Sequence, residues 1–311
     1  MVNEKITKRT HVAVLMGGLS TERDVSLSSG KACSSSLEDA GFQVSQIDVD
    51  RSIVSVLQHL KPDLALNVLH GNFGEDGFVQ AILEFLEIPY THSGVLASAL
   101  SMDKMRAKQI VKCYDVPVCQ SILVNRFTMN SQHLISPPYV IKPLKGGSSL
   151  GIILVEKDQS IPLDILQSSL WKYGDQLLIE QYIDGIELTC GVMGENPLDI
   201  TEITIPKSCF YSYELKYSSL NSTHFLPAKI PSDIYQEVQR MSVLAHNAIG
   251  CRGISRSDFI FDPVSRKIFW LEINTQPGMT PVSIFPEMAA HSGYSFQELL
   301  LWMVEDASCL R

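Results

Sequence analysis

The chain has 311 residues, 45% of them apolar types and 19% charged, with 34 Asp and Glu against 25 Lys and Arg for a formal net charge of −9. This is an ordinary globular composition, long enough for a well-buried core and for two or three domains at about 100–200 residues each. It excludes collagen, coiled coil, disordered tail and disulfide scaffold, and an acidic balance without a Lys/Arg run argues against nucleic acid or an anionic membrane as main partner.

No stretch approaches the ~18 uninterrupted apolar residues of a membrane span. The start, MVNEKITKRTHVAVLMGG, carries an apolar run too short for a signal peptide, so the cytoplasm is the expected location. Seven scattered cysteines without a CxxC pair read as reduced, mostly buried thiols.

The first hundred residues alternate strand and helix signals. His11–Met16 predicts a strand ending at Gly17-Gly18, followed by a helix stopped near Gly41. Gln43–Val49 and Asp63–Leu69 read as strands, Ser52–Leu60 and Glu75–Leu86 as helices, the last with an apolar stripe at Phe78, Ile82 and Phe85. Such alternation predicts βαβ units and a parallel sheet, with ligands at the carboxyl ends of the strands. Gly17–Arg23 and His70–Gly77 occupy those ends.

Gly94–Tyr114 is helical in pattern and carries a boundary. Beyond it the pattern becomes α+β with antiparallel pairing. Tyr139–Lys142 and Gly151–Glu156 read as strands, Ile161–Tyr173 as helix, and Leu177–Ile183 and Ile186–Val192 as strands around Asp184-Gly185. Ser208–His224 reads as a long loop, a length that is uncommon unless the loop is a lid or disordered. Asp233–Ile249 predicts a helix, Ser257–Asp262 and Lys267–Asn274 two strands, and two helices finish the chain, the last over Ser295–Asp306.

The strongest chemical signal is the acidic hairpin Asp258-Phe-Ile-Phe-Asp262 and Trp270-Leu-Glu272-Ile-Asn274. Residues two apart on a strand share a face. A turn centred near Ser265 sets Asp258 across from Glu272, with Asn274 on the same face and Phe259, Leu271 and Ile273 on the buried one. Oxygen ligands without His or Cys suit Mg²⁺ shared with substrate phosphates. The plainer alternative is a solvated strand face.

Between two strands, Lys142-Pro-Leu-Lys-Gly-Gly-Ser-Ser-Leu-Gly151 has the composition of a phosphate cradle: glycine amides, hydroxyls at Ser148 and Ser149, and two lysines. It is not a Walker loop, and a flexible hairpin loop is the alternative. Gly147–Gly151 also fits a G-x-S-x-G nucleophile elbow, which would make Ser149 a hydrolase nucleophile, but a strand rather than a helix follows it. The first turn lacks GxGxxG, so a dehydrogenase with Asp48 or Asp50 on a ribose is weakly supported. That turn either presents Glu22 and Arg23 to a zwitterion or lets Ser20 or Thr21 cap the next helix, and the cap is the simpler reading. His70, Lys104, Glu180 and Glu187 each admit a binding role or a structural one. Arg256 shares a strand face with Asp258 and serves as its counter-ion, as a stabiliser of developing negative charge, or as both.

Taken in order, the motifs are Gly17-Gly18…Ser20-x-Glu22-Arg23-x-Val-Ser26, His70-Gly…Gly-Glu-Asp-Gly77, Ser101-Met-Asp-Lys104, Lys142-Pro…Gly-Ser-Ser-x-Gly151, Tyr211-x-Tyr-Glu-x-Lys-Tyr217, Gly253-x-x-Arg256-x-Asp258 and Glu272-x-Asn-Thr-x-Pro-Gly-Met-Thr280. This series, spread over nearly the whole chain, resembles the bacterial D-alanine–D-alanine ligases. The resemblance implies an ATP-grasp fold behind an amino-terminal parallel-sheet (pre-ATP-grasp) domain, divided as 1–94, 95–187 with the phosphate loop, and 188–311 with lid 208–224. It implies ATP and two Mg²⁺ (Mn²⁺ as a substitute), D-alanine as substrate, a homodimer, and a place in peptidoglycan precursor synthesis.

Residue by residue, the resemblance puts Lys104, Lys142 and Ser149 on the nucleotide phosphates, Glu180 and Glu187 on adenine and ribose, and Asp258, Glu272 and Asn274 on metal. Glu22 would take the first D-alanine's ammonium with His70 nearby. Ser148 and Tyr217 would latch the lid, with Lys216 reaching toward the phosphate. Arg256 and the Gly278 N–H would form the oxyanion site, and Ser283 and Ile284 would receive the second D-alanine's carboxylate. Tyr217 favours an amine acceptor over D-lactate and leaves D-serine open. Two positions depart from the common pattern: Gly146 lacks a carboxylate often present, and Gln276 replaces a frequent Ser, with little effect expected. A related ligase with another acceptor and a catalytically silent nucleotide-binding module stand as the alternatives.

Overall fold

The computed structural model describes residues 10–147, 150–204 and 223–311. It begins with a parallel sheet of β1 (His11–Met16), β2 (Gln43–Asp48) and β3 (Leu64–Asn67), ordered β2-β1-β3. Central β1 is buried from Val12 to Met16 without alternation, because helices cover a parallel sheet on both faces. Edge strand β2, QVSQID, carries the polar alternation that β1 lacks. Helices α1 (Arg23–Asp39), α2 (Ile53–Leu60) and α3 (Phe78–Phe85) complete the expected βαβ alternation.

Helix α3 buries Val79, Gln80 and Leu83 and turns Phe78 and Phe85 outward, 64% and 82% exposed. The expected stripe is therefore corrected at Phe78 and Phe85, while Ile82 packs against the core as expected. In FVQAILEF apolar residues stand on more than one side, so the period admits two faces. Leu83 joins the core with Val79, Leu15 and Tyr90, while Phe78 stacks on Phe73 at 5.9 Å between ring centres.

The second sheet is antiparallel: β4 (Ser121–Asn125), β5 (Tyr139–Pro143), β6 (Ile153–Val155) and β7 (Gln176–Gln181), ordered β4-β7-β5-β6. The helix expected over Ile161–Tyr173 shrinks to α6 (Leu163–Leu166). The reason is a competing set of acceptors. Arg126 donates to the carbonyls of Leu166 and Ser168 at 2.8 and 3.0 Å, and Ser168 Oγ accepts from Leu170 N at 3.1 Å, so the groups that would extend the helix are engaged elsewhere.

The third sheet is antiparallel as well. It contains β8 (Ile186–Met193), β9 (Asn196–Thr204), β10 (Thr223–Phe225), β11 (Ile254–Asp262) and β12 (Lys267–Asn274), ordered β10-β9-β8-β11-β12. Helices α4 (Val95–Met102), α5 (Lys104–Lys112) and α7 (Ser232–Ile249) share its core: Ala97, Ala107, Val111, Val238 and Ala245 meet Leu188, Phe259 and Trp270. Asp103 separates α4 from α5 and caps the latter by accepting from Arg106 N at 3.0 Å.

The chain then returns to the first sheet. Helices α8 (Ile284–His291) and α9 (Phe296–Asp306) place Phe285, Met288, Leu299 and Met303 in one core with Val12, Val14 and Leu66. Helix α9 starts with a capping box of Ser295 and Glu298. Beyond it, Ser308 pairs with Tyr90, which pairs with Ala65 of β3.

Among the described residues no helix is long and apolar enough to cross a membrane. The described cysteines are all free. Burial pushes the Cys190 and Cys251 thiols up to about 12, so both act as neutral packing groups.

The α3 faces give a direct test. Leu83→Ala is expected to lower the unfolding free energy by about 2–5 kcal/mol, and Phe85→Ser by no more than about 0.5 kcal/mol, in urea titrations followed by circular dichroism.

Candidate active site

The hairpin β11–β12 forms in the expected register. Asp258 stands opposite Glu272 and Arg256 opposite Asn274. A bulge between Asp258 and Phe259 then pairs Phe259 with Trp270 and leaves Leu271 without a partner across the ladder. Phe259 and Ile273 are buried as alternation requires, while past the bulge Trp270 is buried too and Leu271 lines the adjacent cavity. Its expected inward placement is corrected: the extra residue in the bulged strand turns it toward the cavity.

That cavity, about 600 Å³, lies between the second and third sheets. It is the size of a nucleotide-scale pocket. Lys104, Lys142, Glu180, Glu187, Asp258 and Glu272 all line it. Lys142 from β5 pairs with Glu180 from β7, and Lys104 at the start of α5 lies 3.5 Å from Glu272. Burial alone would raise the Glu180 carboxyl, but Lys142 and Lys108 outweigh it and hold the group down to about 2. Burial likewise opposes ionisation of Glu272, yet Lys104, Lys142 and Arg256 keep its carboxyl below the ordinary range. Lys142, whose charge burial disfavours, is raised by Glu180 and Glu272.

The glycine loop closes one end. Gly146, Gly147, Leu150 and Gly151 line the cavity, and Lys104 Nζ donates to the Gly146 carbonyl. The turn at Leu150–Gly151 leads into β6 and not into a helix, which removes the nucleophile elbow. Ser148 and Ser149 lie outside the described residues, as do Lys216, Tyr217 and the expected lid 208–224 up to residue 222.

Asp258 is engaged on both oxygens. Arg256 Nε and NH2 donate to it at 3.0 Å each, and Thr189 Oγ1 donates at 2.6 Å. Arg256 is thus its counter-ion. Among the described residues no group of three or more His, Cys, Asp or Glu is arranged to hold a metal by itself. Two facing carboxylates with an amide at the strand end fit a hard dication that completes its shell from phosphate oxygens.

The first-sheet residues gather separately, at the carboxyl ends of β1 and β3. Ser20 Oγ donates to the His70 carbonyl at 2.6 Å and accepts from Glu22 N at 3.1 Å. Glu22 occupies the N-cap of α1 with no side-chain cap bond, so the expected Ser20 or Thr21 cap gives way to a bridge between two loops. Gly71, at φ +70°, passes so close that a Cβ there would lie 2.8 Å from Glu22 Oε2. His70 Nδ1 lies 3.2 Å from Glu75 Oε1, and its Nε2 is buried without a partner among the described residues. Arg23 instead forks onto Asp48 with two contacts of 2.5 Å. This removes Asp48 from a ribose-binding role. The fork crosses Gly17, where a Cβ would lie 2.2 Å from Asp48 Oδ1.

The remaining expected residues sit on the turn before α8. Ser283, at its N-cap, has its Oγ 2.7 Å from Thr280 Oγ1 and accepts from Thr280 N at 3.1 Å. A Cβ on Gly278 would come within 3.0 Å of Ser283 Oγ. Ile284 opens the helix.

Residues 119–305 match the family profile of the D-ala D-ala ligase C-terminus. The chain is 57% identical over 307 residues to D-alanine–D-alanine ligase B of Mesorhizobium japonicum, covering 98% of this chain and 100% of that one. The chain belongs to the D-alanine–D-alanine ligase family. The D-alanine–D-alanine ligase of Bacillus anthracis, solved in complex with ATP, superposes with TM-score 0.81 at 26% identity over 96% of this chain and 97% of that one. The VanG D-Ala:D-Ser ligase of Enterococcus faecalis superposes with TM-score 0.80 at 30% identity over 95% and 98%. The fold is ATP-grasp, behind a parallel-sheet amino-terminal unit.

Within this family fold, Lys108 is a site residue that the motif reading missed. It is 2% exposed in its side chain and lies one helical turn beyond Lys104. Its Nζ is 2.9 Å from Glu180 Oε1 and 3.2 Å from the Trp270 carbonyl, with the Trp270 ring 5.7 Å away. The i, i+4 spacing on an amphipathic helix was the available signal. Thr189 was missed because a strand threonine carries no sequence mark of its partner.

The Glu180 set predicts a pH dependence. Its folded carboxyl titrates at about 2 against an ordinary 4.5, so its stabilising contribution is full above pH 4.5 and is lost as pH falls toward 2. In urea titrations at pH 5 and pH 3, Glu180→Gln is expected to lose less stability between the two than the wild type.

Proposed function

We propose that the protein joins two D-alanines into D-alanyl-D-alanine, with ATP cleaved to ADP and phosphate, through a D-alanyl phosphate. The observation that carries this reading is the cavity between the two antiparallel sheets, where Lys104 and Lys142 face Asp258 and Glu272. Cations for phosphate and carboxylates for a dication are thereby held in one space.

ATP occupies the cavity, with Glu180 and Glu187 at adenine and ribose. Its phosphates lie along Lys104, Lys142 and the glycine loop that carries Ser149. Asp258, Glu272 and Asn274 would hold two Mg²⁺, or Mn²⁺ in their place. Bound there, the metal would neutralise charge on the transferring phosphoryl group. Glu22 takes the ammonium of the first D-alanine, with His70 beside it. A carboxylate oxygen of that D-alanine attacks the γ-phosphorus and the bond to the ADP oxygen breaks.

The second D-alanine sets its carboxylate at Ser283 and Ile284, where the amino end of α8 favours an anion. Its amine attacks the acyl phosphate carbonyl, phosphate leaves, and the amine gives up its proton. Arg256 and the Gly278 N–H meet the oxyanion. Acyl phosphate hydrolyses readily, so water must be kept out. Ser148 and Tyr217 would latch the lid that does so, with Lys216 reaching toward the phosphate.

The same proposal places the protein in the cytoplasm, in peptidoglycan precursor synthesis, as a homodimer without nucleic-acid or membrane partners. It divides the chain as 1–94, 95–187 and 188–311, with α4 and α5 of the middle segment seated on the third sheet.

ADP release from purified protein with ATP and Mg²⁺ tests the reading. Strong release with D-alanine alone, together with dipeptide product, is expected. Release with D-serine or D-lactate as acceptor moves the substrate, and no release under any condition leaves a nucleotide-binding module. Arg256→Ala is expected to lower kcat by about 10²–10³-fold while ATP affinity stays within roughly threefold, measured by coupled ADP assay and calorimetry.

A further inference from the structure

Gln276 lies two residues beyond Asn274 and is 1% exposed. Its side chain reaches across the molecule to a segment more than two hundred residues earlier. Gln276 Oε1 accepts from Asn67 Nδ2 at 2.7 Å, and Gln276 Nε2 donates to the Leu69 carbonyl. Asn67, at the end of β3 and fully buried, also donates Nδ2 to the Gly74 carbonyl at 3.1 Å. Its Oδ1 accepts from Leu69 N at 3.2 Å. Gln80 of α3, 1% exposed, donates to the same Gly74 carbonyl at 2.8 Å.

The orientation of each amide follows from its partners. The carbonyls of Leu69 and Gly74 can only accept, so Gln276 Nε2 and Asn67 Nδ2 must face them. That leaves Gln276 Oε1 to receive the second Asn67 proton. The Asn67 and Gln276 amides are thus complementary to each other and to the Leu69 and Gly74 backbone. The network fixes Leu69 and Gly74, the residues flanking the turn that carries His70.

From that turn the bonds continue to Glu22. Leu69 precedes His70, whose carbonyl accepts from Ser20 Oγ, which in turn accepts from Glu22 N. Hydrogen bonds joined by the Leu69–His70 peptide thus lead from just beyond the acidic hairpin to the backbone of Glu22, whose carboxylate is assigned to the first amino acid. A Ser at position 276 is too short to touch both Asn67 and Leu69, so this departure adds contacts that the frequent residue would not make.

We propose that Gln276 is a positioning residue: it sets Glu22 and His70 relative to the phosphate end of the cavity, and thereby sets the affinity for the first amino acid. This rests on the ligase reading. Small displacements of a binding group change rates and affinities steeply when two reactants must meet in one geometry. A buried amide network of this kind is specific because each member loses its partner if one is removed.

The test is Gln276→Met, which keeps volume and removes the bonds, with Gln276→Ser as a second variant. The wild type must first release ADP with D-alanine; if it does not, the ligase reading falls and not this one. In Gln276→Met the Michaelis constant for the first D-alanine is expected to rise about tenfold, with kcat within roughly threefold and the ATP dissociation constant within roughly twofold. Asn67→Ala combined with Gln276→Met is expected to cost no more than either change alone, as members of one network do. A lowered melting temperature with unchanged constants, or equal losses for ATP and D-alanine, would overturn the proposal. If the methionine variant does not fold, Gln276→Ser decides by the same constants.

Discussion

Glu180 carries the charge on which the arrangement of the cavity depends. Its carboxylate, almost fully buried, holds Lys142 from the neighbouring strand and Lys108 from α5, and accepts from Ser121 Oγ at 3.1 Å. Lys108 extends the tie to the Trp270 carbonyl on β12. One side chain thus joins both antiparallel sheets and the helix between them. Lys142, with Lys104 and Lys145, gives the acid-lined cavity the cations that an anionic ligand requires. Breaking such a buried set strands a charge and is strongly destabilising, by about 3–5 kcal/mol.

The acidic hairpin adds the opposite charge at a fixed distance. Antiparallel pairing turns a sequence spacing into a facing pair, so Asp258 and Glu272 meet because of register alone. The bulge beside them sends Leu271 toward the cavity, where it joins Ile260 as an apolar member of the hairpin wall. Arg256 and Thr189 then hold Asp258 in a single orientation. Rigid strands therefore present both carboxylates of this pair.

Much of this was legible from residue patterns. The parallel first sheet followed from strand–helix alternation, and the Asp258–Glu272 pairing from the length of one turn. What stayed hidden was tertiary. The face of α3 could not be read from a helix apolar on several sides. The helix over 161–173 lost its carbonyls to Arg126, which lies in a distant segment. Strands β4 and β9 carry polar residues that weaken their alternation. Lys108 and Gln276 look like ordinary polar residues, and only their partners reveal them as buried links. The resemblance supplied roles for Glu22, Ser283 and Ile284 that no local pattern could assign.

The return of the chain to the first sheet bears on how the protein is made. Val12, Val14 and Leu66 are covered by Phe285, Met288, Leu299 and Met303, and the β3 side of the sheet is completed through Tyr90 by Ser308. Val12, Val14 and Leu66 therefore wait for residues made more than two hundred positions later. Until some two hundred residues more have been synthesised, one face of the nascent sheet has no covering and its edge has no closing strand. Such surfaces are sticky in an unfinished chain. Folding of the first sheet therefore waits for the third to be made, and a ribosome stalled within the third sheet would hold an incomplete first one.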